Sequence, residues 1–171
     1  MWGPLEADAS EERAYARYRG VLNDNAMAGA NAATGRGVFQ RTCAPCHRMF
    51  GEGGAIGPEL TGSNRANLEY LLSNVLSPNA EIQDAYKVVV ITTRDGRTFS
   101  GTLAAENDRQ ITLRLVGRDP IAINKADIQS RETTATSMMP TGLFDALSER
   151  EVIDLVGYLR TTEQVKAPPQ R

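Results

Sequence analysis

The sequence is poor in the residues that usually mark metal and acid–base sites, since its 171 residues include one histidine and two cysteines. The formal net charge is −2 and basic residues form no cluster, so the positive face that nucleic acid binding requires is missing. The longest strongly apolar run, residues 88–91, is far too short to span a membrane. No basic and then apolar segment opens the chain, so we expect a cytosolic protein or an exported one whose signal has been removed.

The two cysteines and the histidine all lie within five residues, CAPCH, as Cys43, Cys46 and His47. Structural zinc and iron–sulfur sites generally need four ligands, so three adjacent donors do not fit them. A thioredoxin-like redox pair needs a strand leading into the motif, whereas the preceding residues favour a helix. A plain disulfide is the simplest alternative and stays open. The pattern C-x-x-C-H is typical of one covalently attached haem, with thioethers at both cysteines and His47 as the proximal iron ligand.

The segment GPEL at 57–60 supports the haem interpretation. The carbonyl of Pro58 is expected to accept the Nδ1–H of His47, which would fix the tautomer and raise the basicity of the ligand. Leu60 is expected to pack on the porphyrin ring. Without the haem motif, the Gly-Pro pair would simply predict a turn.

A second supporting segment is SMMPTG at 137–142. A thioether sulfur is the usual partner of histidine in electron-carrier haems. We expect Met139 to be the second iron ligand, because Pro140 with its fixed φ would hold that loop rigid, and Met138 to pack nearby. Methionines are otherwise more often core residues than ligands, so this prediction depends on the motif.

Helical periodicity and capping residues predict four helices. The first covers 10–22 with Ser10 as N-cap and is followed by a loosely ordered connection. A short helix over 32–42 has Asn31 as N-cap, and another begins after Ser63 and ends before Pro78. Its first turn contains Arg65, a candidate partner for a haem propionate, although a solvated arginine is the simpler alternative.

The closing helix begins at a capping box formed by Ser148 and Glu151. Its apolar stripe is expected to cross the short helix over 32–42. Gly35 would let the two backbones approach, and Phe39 would fill the contact.

From residue 86 the hydrophobic period changes to that of strands. Four strands are predicted, at 86–94, 97–105, 109–115 and 120–123, with a hairpin at Asp95-Gly96. The predicted fold is a mainly α, cytochrome c-like helical core around a covalent haem, with a small inserted antiparallel sheet, α+β overall. The predicted organisation is an N-terminal helical extension over 1–30, a cytochrome c core split between 31–85 and 129–165, an inserted four-stranded antiparallel meander over 86–128 and a tail over 166–171.

The pattern G-x-x-F…C-x-x-C-H…G-P-x-L…M-P…L-x-x-Y-L resembles small monohaem c-type cytochromes with His/Met ligation. The segments GEGGAIGPELTGSNRANLEYLLSNVLSPNAEI, TRDGRTFSG and SMMPTGLFDALSEREVIDLVGYLR more closely resemble the planctomycete-type haem-binding domain family. This resemblance covers roughly residues 31–162. It implies haem attachment and electron transfer in the periplasm, in a family whose domain often ends a larger exported protein, sometimes behind a sugar-dehydrogenase-like propeller.

The predicted function is therefore that of a monohaem c-type cytochrome, a one-electron carrier with an unidentified redox partner protein and no enzymatic activity. The alternative is a haem-based gas sensor in which the methionine ligand is absent or labile. A peroxidase would need an open distal site with acid–base groups, and the chain has no second histidine. The exposed edges of the small sheet also make a homodimer through the insert a hypothesis.

Overall fold

The computed structural model describes residues 4–167. Most of the predicted tail over 166–171 therefore lies outside the described residues. The chain forms two compact units, which we call the helical unit (Met1–Cys43, Thr61–Pro78 and Thr141–Arg171) and the sheet unit (Ala44–Leu60 and Asn79–Pro140). Within residues 4–167, no helix combines the length and the apolar character needed to cross a membrane.

Five α-helices build the described part of the helical unit: α1 Pro4–Val21, α2 Asp24–Ala28, α3 Ala32–Thr42, α4 Leu68–Leu76 and α5 Glu149–Leu159. A short 3-10 helix, Leu143–Ala146, precedes α5. Two predictions for the first thirty residues are wrong. Ser10 lies inside α1, which begins at Pro4, and the predicted loose connection contains the extra helix α2, capped by the side chain of Asn23.

The other helix starts follow from local capping chemistry. The side chain of Asn31 accepts the N–H of Thr34 at the start of α3, as predicted. The capping box of α5 is present in both directions between Ser148 and Glu151. The prediction for α4 is wrong, because its N-cap is Asn67 and not Ser63.

The crossing of α3 and α5 is the centre of the helical unit, and it confirms the predicted contact. The backbones approach so closely that a Cβ on Gly35 would lie 1.8 Å from the carbonyl oxygen of Asp154. Beside this point the rings of Phe39 and Tyr158 pack with their centroids 5.4 Å apart. The short hydrophobic stripes of two eleven-residue helices are therefore buried against each other at a glycine.

The sheet unit contains a small hairpin, β1 Arg48–Met49 and β2 Glu52–Gly53, and one five-stranded antiparallel sheet. The strands of that sheet are β3 Lys87–Thr93, β4 Thr98–Glu106, β5 Gln110–Leu115, β6 Arg118–Asn124 and β7 Ile128–Ser137. Their spatial order is β6-β5-β4-β3-β7. The predicted hairpin between β3 and β4 is confirmed, with Gly96 at φ 85° in its turn.

The predicted fold class is wrong, because the protein is not mainly α. The sheet has five strands and not the predicted four, and the additional strand, β7, is the longest at ten residues. Its sequence IQSRETTATS presents no continuous apolar face, and most of its side chains are exposed. β7 is a strand because it pairs with the edge of β3 that faces away from β4, a long-range contact that its hydrophobic pattern does not predict.

One face of the sheet carries the apolar core of this unit. The buried residues are Val89, Ile91, Ile111, Leu113 and Ile123. They come from β3, β5 and β6, as the period-two alternation predicts. The two edge strands β6 and β7 are largely exposed and polar, which suits strands that lack a neighbour on one side.

Candidate functional site

The C-x-x-C-H motif begins where α3 ends. Cys43 is the C-cap of α3, and its N–H donates to the carbonyl of Phe39 at 2.8 Å. Cys43 and Cys46 are not joined in a disulfide, and both are partly exposed. A redox-active pair usually occupies a helix N-terminus, where the dipole lowers the thiol pKa. Here the first cysteine caps a C-terminus, and burial raises the pKa of the Cys46 thiol, so the thioredoxin-like alternative loses its chemical basis.

The chain reverses immediately after His47 in the tight hairpin of β1 and β2. Phe50 and Gly51 both have positive φ, at 51° and 82°. The following loop, residues 54–60, then runs back beside the motif. Three backbone bonds hold it there: Gly54 N–H to Ala44 O at 2.7 Å, Gly57 N–H to Cys46 O at 2.8 Å and Leu60 N–H to Arg48 O at 2.9 Å.

This loop determines the protonation of His47. The imidazole Nδ1 lies 2.8 Å from the carbonyl oxygen of Pro58. A carbonyl can only accept, so Nδ1 carries the proton, and the lone pair of a neutral ring is on Nε2. Burial lowers the pKa of His47, against the opposing effect of the Pro58 hydrogen bond, and so favours the neutral ring. The structure thus presents Nε2 of a neutral, oriented imidazole.

Gly57 supplies the other restraint on the ring. A Cβ at this position would lie 2.7 Å from Cε1 of His47, 3.0 Å from Nδ1 and 3.1 Å from Nε2. The backbone of the loop therefore lies against the imidazole so closely that no side chain fits between them. Together the Pro58 carbonyl and the Gly57 backbone fix both the tautomer and the position of the ring.

The residues present fit a covalently attached haem. Two thiols at C-x-x-C spacing, not joined in a disulfide, can form the two thioethers, and the adjacent imidazole can offer its Nε2 to iron. In the part of the chain that the structure describes, no group of three or more His, Cys, Asp or Glu is arranged to hold a metal ion. Cys43, Cys46 and His47 are the residues that would hold such a haem.

The two methionines lie in the sheet unit, as His47 does. They follow β7 directly, and both are partly buried. The N–H of Met139 donates to the hydroxyl of Ser137 at 3.1 Å, and the N–H of Ser137 donates to the side chain of Asn79 at 2.8 Å. The end of β7 and the first residues of this loop are thus held in a defined backbone path. Ligation of iron by either methionine stays a prediction.

Arg65 belongs to the helical unit and is not a solvated arginine, the simpler alternative, since only 6% of it is exposed. Its guanidinium donates to the carbonyl oxygens of Leu159, Thr161 and Thr61, the last two at 2.8 Å. It therefore neutralises the carbonyl-rich C-terminal end of α5. A contact with a haem propionate stays a prediction. Leu60, the predicted ring contact, is partly buried, and its role also stays a prediction.

Two residues that matter at this site are missed by sequence reasoning. Gly57 is the first residue of the GPEL segment, but its close approach to the ring follows only from the three-dimensional path of the loop. Thr102 alternates with the apolar positions of β4, which predicts a polar face for it, yet only 1% of it is exposed. Its hydroxyl donates to the carbonyl of Ile56 at 3.0 Å. No local pattern distinguishes this threonine from its neighbours in the strand.

Comparison with known proteins is consistent with this geometry. The family model described as cytochrome C oxidase, cbb3-type, subunit III matches residues 30–97, a segment that contains the whole C-x-x-C-H motif and the GPEL loop. No curated protein is similar enough to the chain to count as a match. The finer resemblance to the planctomycete-type family stays a prediction. The match supports a c-type cytochrome, and with it a haem protein that takes part in electron transfer.

Proposed function

We propose that the protein is a monohaem c-type cytochrome that carries one electron at a time. One haem c is attached through thioethers at Cys43 and Cys46, with His47 and Met139 as the two axial ligands. The observation that carries this proposal is the arrangement of His47, whose Nδ1 is committed to Pro58 while Nε2 is left for iron. The match of the surrounding segment to a cytochrome family supports it.

When bound, the haem supplies the one-electron couple, and the chain supplies ligands that do not move. Gly57 and Pro58 restrain the imidazole from two directions. A ligand held in this way keeps its position in both oxidation states, which keeps the reorganisation on electron transfer small. If His47 and Met139 both hold the iron, little room would be left on it for a substrate. We therefore propose a carrier and not a catalyst.

Met139 is proposed as the second ligand because it precedes Pro140 and lies in the same compact unit as His47. The adjacent Met138 is a matched control for this assignment. In holoprotein, Met139→Ala should abolish the weak long-wavelength absorption band of a sulfur-ligated ferric haem, whereas Met138→Ala should keep it. Loss of the band only in Met138→Ala would exchange the two roles.

We also propose export to the periplasm, because bacterial attachment of haem c takes place outside the cytoplasmic membrane. The partner would be another redox protein, for example a dehydrogenase of the kind found in the planctomycete-type haem-binding domain family. Self-association through the sheet edges β6 and β7 is a further part of the proposal. A light-scattering mass of one chain at micromolar concentration would contradict that part alone.

The decisive experiment is a pyridine haemochrome spectrum and an intact mass on protein exported through a c-type maturation system. We expect a mass of the polypeptide plus one haem. Cys43→Ser and Cys46→Ser should each leave a single thioether and shift the haemochrome band, and the double variant should lose the haem on acid extraction. Wild-type protein that weighs no more than the polypeptide would overturn the proposal.

The gas-sensor alternative makes a different prediction for the same holoprotein. A filled sixth position should resist carbon monoxide. Rapid binding of carbon monoxide by the ferrous wild type, together with the absence of the sulfur band, would replace the carrier with a sensor.

A further inference from the structure

A buried side chain of the sheet contacts the loop at residues 54–60, which restrains His47. Thr102 lies in β4, opposite Arg114 of β5, and only 1% of it is exposed. Its hydroxyl donates to the carbonyl oxygen of Ile56, 3.0 Å away, and Ile56 is itself 4% exposed. A hydrogen bond in such a dry environment is stronger than one at the surface, and its loss would leave a carbonyl oxygen without a partner.

The bond restrains a particular peptide group, the one that joins Ile56 to Gly57. Its carbonyl oxygen accepts from Thr102, and its N–H donates to the carbonyl of Cys46 at 2.8 Å. Both polar ends of this peptide plane are thus held, one by the sheet and one by the C-x-x-C-H motif. Because peptide groups are planar, fixing both ends fixes the orientation of the whole unit.

The next atoms along the chain are those that restrain His47. Gly57 provides the backbone that lies against the imidazole, and Pro58 provides the carbonyl that accepts its Nδ1–H. A rotation of the Ile56–Gly57 peptide would move both. The hydroxyl of Thr102 therefore holds the peptide group that directly precedes the two groups in contact with His47.

We propose that Thr102 is a positioning residue for His47, through which the sheet adjusts the basicity of the iron ligand. This inference rests on the proposed function. A stronger bond at Nδ1 makes the imidazole a better donor and favours the ferric state. Removal of the hydroxyl should therefore weaken the bond to Pro58 and raise the reduction potential.

The variants should separate this role from plain stability. Thr102→Val keeps the branched shape and removes the hydroxyl, and Thr102→Ser keeps the hydroxyl. Thr93 is the matched control, since it is a sheet threonine only 2% exposed. Its hydroxyl has its acceptors, a carboxylate oxygen of Asp95 and the carbonyl oxygen of Arg97, at the end of the hairpin. Thr93→Val therefore removes a buried hydroxyl that does not contact the loop.

The measurements are the exchange rate of the His47 Nδ1 proton by NMR in the ferrous holoprotein and the reduction potential. In Thr102→Val we expect a higher potential and faster exchange, by up to about fivefold, the factor that complete loss of one ordinary hydrogen bond of about 1 kcal/mol would give. Thr102→Ser should restore both values, and Thr93→Val should lower stability without changing either.

Equal exchange rates and potentials in Thr102→Val and Thr93→Val would overturn the inference. If Thr102→Val does not fold, the wild type still tests it, because the Thr102 hydroxyl proton should be protected from exchange and show a nuclear Overhauser effect to Ile56 or Gly57. Absence of such a protected proton would overturn it too. Failure of the proposed function looks different, since wild type and all variants would then contain no haem.

Discussion

Each compact unit contains a glycine at which the backbone approaches a neighbour too closely for any side chain: Gly35 in the helical unit and Gly57 in the sheet unit. A Cβ on Gly35 would collide with the backbone of Asp154, at 1.8 Å from its carbonyl oxygen. A Cβ on Gly57 would collide with the ring of His47, at 2.7 Å from Cε1. Gly35 allows two helices to pack, whereas Gly57 allows a loop to hold one side chain.

The difference lies in what can give way. The carbonyl of Asp154 belongs to α5, whose backbone is tied into its own hydrogen bonds and into the contact with α3. An intruding methyl group there must separate the helices. The imidazole of His47 ends a side chain and can rotate, but only by changing its bond to Pro58. We therefore expect Gly35→Ala to lower stability and Gly57→Ala to change the position of the His47 ring.

The largest effect is expected for Gly35→Ala. Overpacking against a fixed backbone should lower the free energy of unfolding by about 3 kcal/mol, measured by denaturant titration. Gly20→Ala is the control, because Gly20 lies in α1 and an added methyl group would have no neighbour within 4 Å, so that variant should lose nothing or gain slightly. Similar free energies of unfolding for the two variants would show that α3 and α5 can move apart at little cost. The proposed difference between Gly35 and Gly57 would then be wrong.

Gly57→Ala should lower the free energy of unfolding by less, about 2 kcal/mol. Unlike Gly35→Ala, it should also displace the imidazole of His47. The backbone of Gly57 is not in the left-handed region, so the cost comes from contact with the ring and not from strain. The displaced imidazole should alter the electron paramagnetic resonance signal of the ferric holoprotein. Gly62→Ala, in a loop with open space around it, should leave that signal unchanged.

An unchanged signal in Gly57→Ala, at whatever stability, would mean that the ring position does not depend on this glycine. A changed signal in Gly35→Ala would also contradict the comparison, because the helix crossing would then affect the position of His47.

The two units also differ in the pH range where they should weaken. In the helical unit, the hydroxyl of Tyr18 donates to Asp145 at 2.5 Å, and burial with this carboxylate raises the pKa of Tyr18 to about 12. A pKa raised on folding gives stability that is complete below pH 10 and is lost as pH rises toward 12. The loss should be about 1.5 kcal/mol, less than the full shift implies, because Asp145 is itself exposed. Thermal unfolding between pH 9 and 12 measures this loss of stability, and Tyr18→Phe should make it less steep. An equally steep loss in that variant would exclude Tyr18 as its source.

What the sequence predicts well is local. The Asn31 cap, the capping box at Ser148 and the Asp95-Gly96 hairpin are each encoded within a few residues, and all are present. The contact of His47 with Pro58 spans eleven residues, but the haem motif predicts its chemistry, and the distance of 2.8 Å agrees.

What the sequence predicts poorly depends on distant partners. Ser63 has the right chemistry for an N-cap. However, the N–H of Arg65 donates to the carbonyl of Ser63, so the chain forms a turn there and not the start of a helix. Asn67 caps α4 instead. β7 is missed because it pairs with a distant strand, β3, and its own sequence lacks the alternation of apolar and polar residues that predicts a strand. Thr102 is missed because its partner Ile56 is 46 residues away.

The smallest effect is expected at acid pH in the sheet unit. Arg97, together with the hydroxyl of Thr93, lowers the pKa of Asp95 to about 2. A pKa lowered on folding gives stability that is present above about pH 4 and is lost as pH falls toward 2. Asp95 is in an exposed turn, where ion pairs contribute little, so its removal should shift the acid unfolding midpoint only slightly. Asp95→Asn should make the loss of stability between pH 4 and 2 less steep and leave the loss at alkaline pH unchanged. Tyr18→Phe should do the reverse. If both variants change the stability in the same pH range, the two units do not titrate independently.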